Sequence, residues 1–139
     1  MKSPYLSRIS AILLGAPALV LLFAADDLLP ALISSFAGRD AWLGQLVASG
    51  WLAIAMLNWL SRNTVIGGIH GRPLVLANLT VYVVIATTMW DATASTARPA
   101  VMLAGSGVAA VMAAAYGWLM MLGPLPADLP RVESPGGRH

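Results

Sequence analysis

The chain contains no cysteine, a single lysine and two histidines, and charged side chains make up only 10% of its 139 residues. Without cysteine there are no disulfides, no thiolate nucleophile, no Cys-ligated zinc or iron–sulfur site and no dithiol relay. The histidines, His70 and His139, both fall outside the apolar runs. A helical bundle that holds haem takes its ligands from within the bundle, so that arrangement is excluded and no cofactor is expected. The eight basic residues are scattered as single charges, for a net charge of +2. They form no patch able to neutralise several phosphates, which removes nucleic acid as a partner. No glycine loop leads into Lys-Ser or Lys-Thr, and no serine has a histidine and an acid in a recognisable arrangement. The reading is therefore not an enzyme.

What the chain has instead is hydrocarbon, at 58% hydrophobic residues, which leaves no surface suited to water. About 20 helical residues cross the roughly 30 Å apolar core of a bilayer. Runs of that order are expected at about residues 6–25, 42–59, 74–90 and 99–122. The expected fold class is all-α, an integral membrane bundle of four transmembrane helices, with 123–139 a proline- and glycine-rich disordered tail. The first run reads as an uncleaved helix rather than a cleaved leader, because Phe23, not a small residue, stands two before Ala25. Pro17 is expected to kink it. Asp26 and Asp27 follow, and Leu28 to Phe36 is too short to span, so it reads as a helical extension or an interfacial segment. Adjacent acids point about 100° apart on a helix. The pair is therefore read as solvated rather than as a proton or cation site.

The polar and conformationally special residues gather between Asn58 and Asn78, NWLSRNTVIGGIHGRPLVLAN, where Gly67-Gly68 and Pro73 suit a helical hairpin. On the second span Gly44, Ala48, Trp51, Ala55, Asn58 and Arg62 recur at steps of four and three, predicting one packed stripe. Asn78, Tyr82 and Ala86 share a stripe on the third span. In an antiparallel hairpin the two asparagines reach similar depth and can pair across it. The competing possibility is a polar pocket of Asn58, Arg62, His70, Arg72, Asn78 and Tyr82 for an anionic headgroup or carboxylate. On the fourth span Gly105, Ala109, Ala113 and Gly117 form a ladder of small residues that lets another backbone approach, in the same chain or in another.

With the N-terminus in the cytoplasm, Lys2, Arg8, Arg62, Arg72, Arg131 and Arg138 lie inside and Arg39 and Arg98 outside. Six against two favours this orientation, with both termini and the Asn58–Asn78 hairpin cytoplasmic. Between Gly50 and Asn78, Asn58-Trp59-Leu60 closing one helix and Gly67-Gly68, Gly71-Arg72-Pro73 and Asn78 opening the next resemble a pattern in small bacterial four-helix inner-membrane proteins without an assigned function. The resemblance implies a fold and a compartment, and it brings no catalytic residue. Small multidrug resistance transporters are similar in helix count only, since the acid of their first helix has no equivalent in Ile9–Ala25. The expected function is a noncatalytic structural or accessory subunit among membrane lipids, associating with itself or a membrane partner through the small-residue ladder. The alternative is a small transporter or anionic-lipid-binding protein working through the polar cluster.

Overall fold

The computed structural model describes residues 3–33, 36, 41–63, 71–96 and 98–122, which leaves the connector around His70 and the 123–139 tail outside the described residues. Among the described residues there are five α-helices: α1 (Ser3–Phe23), α2 (Ala25–Leu32), α3 (Ala41–Leu60), α4 (Arg72–Ala92) and α5 (Pro99–Leu122). Four of them are long and apolar enough to cross a bilayer, over Tyr5–Phe23, Ala41–Leu60, Arg72–Ala92 and Pro99–Met121. The protein is an all-helical membrane bundle, and its exterior agrees. Phe23, Leu60, Val111 and Met121 lie exposed on its flanks, where only a hydrocarbon solvent accepts them.

The first span departs from expectation at its far end. It stops at Phe23, Ala24 leaves helical geometry (φ −131°, ψ 29°), and α2 begins at Ala25. This places Asp26 and Asp27 in the first turn of a new helix, where carboxylates oppose the positive end of its dipole. Their position is thus explained without a bound cation. Pro17 lies inside α1, which continues through it to Phe23 with the proline ring exposed. Pro73 occupies the first turn of α4, as its missing N–H favours.

The helices pack as two antiparallel pairs, α1 with α3 and α4 with α5, whereas the backbones of α3 and α4 meet only sparsely. Small residues account for the close approach within each pair. Gly15 lies opposite Ala55, so that a Cβ there would stand 3.4 Å from the alanine methyl, and Gly44 faces Leu21, Ala25 and Leu29. Ala48 is 1% exposed at the same seam. In the other pair Gly105 faces Met89, Gly117 faces Leu79, and Ala109 and Ala113 are buried between them. The ladder is therefore closed by α4 of the same chain. Of the two neighbours the sequence leaves open, the same chain or another, the ladder meets the first. The physical reason is the short turn after Ala92, which makes α4 the nearest antiparallel neighbour of α5.

Indole side chains mark both ends. Trp42 and Trp59 bracket α3, Trp90 lies near the end of α4, and Trp118 near the end of α5, all exposed. Tryptophan prefers the interfacial layer, where its apolar ring and its N–H both find a favourable environment.

Candidate functional site

The two helix pairs are joined by buried polar side chains about six residues, or roughly 9 Å, inside the Arg72 end of α4. Asn58, on the inner stripe of α3, and Asn78, on that of α4, are both fully buried, and so is Ser10 of α1. Asn78 Nδ2 donates to the Leu74 carbonyl at 2.8 Å, which identifies that atom as the nitrogen and leaves Oδ1 as the acceptor. The rest follows. Asn58 Nδ2 donates to Asn78 Oδ1 at 2.7 Å, and Asn78 Nδ2 donates back to Asn58 Oδ1 at 2.8 Å.

Ser10 completes the set. Its Oγ accepts from Asn58 Nδ2 at 3.1 Å and stands 2.8 Å from the Tyr82 hydroxyl and 3.0 Å from Asn78 Oδ1. A serine hydroxyl has one proton. The contacts among the four side chains are all satisfied when Tyr82 donates to Ser10 Oγ and Ser10 donates to Asn78, with the Ser10 carbonyl, 3.4 Å from the Tyr82 hydroxyl, as its longer alternative acceptor. All four amide hydrogens and both hydroxyl protons then have acceptors inside the bundle. Tyr82 also stacks on Tyr116, with ring centroids 6.0 Å apart and planes 17° apart. Among the described side chains, the buried oxygens of Ser7 and Tyr116 have no hydrogen-bond partner.

The six residues proposed from the sequence therefore separate. Asn58, Asn78 and Tyr82 come together. Arg62 does not join them: its Nη1 donates to the Trp59 carbonyl at 2.6 Å and its guanidinium lies 4.4 Å over the Trp59 ring. Arg72 is exposed at the first position of α4, and His70 lies outside the described residues. Ser10, which the sequence reading missed, supplies the link to α1. Its signal was the pair Ser7 and Ser10, three apart at the start of the apolar run and hence on one face of the helix.

Chemically the arrangement is closed. Amide side chains do not ionise near neutral pH and so serve neither as acid nor as base, and a serine without an adjacent base is a weak nucleophile. Among the described residues no three His, Cys, Asp or Glu side chains are grouped so as to hold a metal. The cluster can hold helices in one register, because breaking any bond strands a donor in a low-dielectric interior. Comparison with models of known families, with characterised proteins and with solved structures found no match to this chain.

Proposed function

We propose that this chain is a noncatalytic structural or accessory subunit of a bacterial inner membrane, with the polar clasp at the cytoplasmic end. The observation that carries the reading is the mutual satisfaction of Asn58, Asn78, Ser10 and Tyr82. A substrate site keeps polar groups free for its ligand, whereas these are committed to one another across three helices. The alternative, a small transporter or anionic-ligand protein working through the same cluster, has less support, because Arg62 and Arg72 stand apart from the asparagines. Orientation rests on charge. Arg8, Arg62 and Arg72 are at the clasp end and Arg98 is at the other, in the sense of the positive-inside bias.

Mild extraction from the native membrane tests the role. A stoichiometric membrane partner that loses abundance when this chain is deleted supports an accessory subunit. Solute flux or turnover by the purified, reconstituted chain refutes the noncatalytic reading. Because the chain has no cysteine, single cysteines introduced at Gly71 and at Ser95 test the orientation. An impermeant maleimide added to intact cells should label Ser95→Cys and spare Gly71→Cys; the reverse pattern overturns it.

A further inference from the structure

The pairs are tied together at the clasp end, and at the opposite end a cleft of about 400 Å³ opens between α3 and α4. Its inner part is formed by Trp51 and Val47 of α3 with Val84 and Ile85 of α4. Thr88 and Ala92 carry it outward, and Ser95 and Thr96 of the α4–α5 turn stand at its mouth. From Val84 to Ala92 is eight residues, or about 12 Å at the helical rise. That is close to the depth of one leaflet, half of a roughly 30 Å core.

We propose that this cleft seats the acyl portion of an anionic phospholipid from the leaflet at that end. Its volume suits a small-molecule site, for which about 300 to 1,000 Å³ is usual. An apolar cleft left empty forfeits the dispersion contacts of its lining, so in a bilayer it fills with hydrocarbon. Polarity changes with depth as it does along a phospholipid. The deep part presents only apolar and indole side chains. One turn below Ala92, the Thr88 hydroxyl has no partner among the described residues, and it is placed to donate to an ester carbonyl. At the mouth the hydroxyls of Ser95 and Thr96 already donate to the carbonyls of Ala92 and Leu32. The Arg98 amide donates to Thr96 Oγ1, fixing Arg98 beside the mouth, and its exposed guanidinium has no ion pair among the described residues. A phosphate supplies the missing anion. The apolar flank of a second copy would offer nothing to Thr88 or Arg98.

Trp51 is the reporter. The four other tryptophans are replaced by phenylalanine, and the protein is reconstituted in vesicles of zwitterionic phosphatidylcholine containing increasing amounts of phosphatidylglycerol brominated on its acyl chains, which quenches indole on contact. A second protein retaining only Trp118, on the open flank, reports ordinary surrounding lipid. Trp51 quenching should saturate at a lower brominated fraction than Trp118 quenching. Thr88→Phe, which fills the cleft, should remove more than half of the Trp51 quenching and leave Trp118 unchanged. Arg98→Gln should raise the half-saturating fraction about fivefold, the effect of one interfacial cation on an anionic lipid. Coincident Trp51 and Trp118 curves overturn the proposal. So does a Thr88→Phe protein with native circular dichroism and undiminished Trp51 quenching, or cross-linking of a Val47→Cys protein to a second copy through the cleft.

Discussion

Replacing Asn58 by leucine, similar in size but unable to hydrogen-bond, separates a clasp from an incidental polar contact. The substitution removes three bonds, two donated by Asn58 Nδ2 and one received by its Oδ1. Interhelical hydrogen bonds in membranes average about 0.6 kcal/mol, so their loss costs about 2 kcal/mol. Asn78 keeps Leu74 and Ser10 as partners, but one of its amide hydrogens then faces a leucine, adding about 1 kcal/mol or more. The leucine itself returns little, since the lipid around separated helices is as apolar as leucine. The total is about 3 kcal/mol, roughly two decades in the unfolding equilibrium. Asn78→Leu should cost about the same by the same reasoning. The double variant loses five bonds but strands no amide, so it too should cost about 3 kcal/mol rather than the sum of about 6. Reversible unfolding in mixed micelles with rising dodecyl sulfate, followed by circular dichroism, measures all four corners of this cycle. Additivity within about 0.5 kcal/mol would refute the reciprocal amide pair.

The two stacked tyrosines should respond in opposite directions. Tyr82→Phe removes a bond to Ser10 and should destabilise by about 0.6 to 1.7 kcal/mol, whereas Tyr116→Phe deletes a buried hydroxyl without a partner and should stabilise by about 1 kcal/mol, both read from the same titration. At Gly105 a Cβ would lie 2.6 Å from Met89 Sδ, so Gly105→Leu should cost about 1 to 3 kcal/mol of fold stability while leaving the oligomeric mass in detergent unchanged. A drop in oligomeric mass without loss of stability would mean that the ladder serves another chain after all.

The inner stripes of α3 and α4 were legible because small and amide residues at helical spacing stand out against leucine and valine. Gly44, Ala48, Ala55 and Asn58 are all buried, as are Asn78 and Tyr82. Ser10 was less visible, since a serine can satisfy itself on its own helix and so carries little information about its neighbours. Arg62 is placed in the pocket by its step of four from Asn58, which extends the α3 stripe past the end of the helix. Its spacing of three from Trp59 already made the ring its nearest partner on the helix surface. The Gly105–Gly117 ladder announced a close neighbour without naming it, and the short α4–α5 connection was the better guide to which helix that is. The break at Ala24 has no strong breaker at the site itself. The paired aspartates that follow are the clue, because they favour the start of a helix over its continuation.

The tryptophans at the ends of α3 carry a further implication. Trp42 and Trp59 are 17 positions apart, or about 25 Å along the helix, and each exposes its indole. If both rings sit in the interfacial layers, α3 spans several ångströms less than the roughly 30 Å of an average bilayer core. A rigid element shorter than its surroundings deforms them, thinning the adjacent lipid or gathering similar elements so that the deformation is shared. The bundle would thus sense membrane thickness, and its distribution between thick and thin bilayers should follow the length of α3.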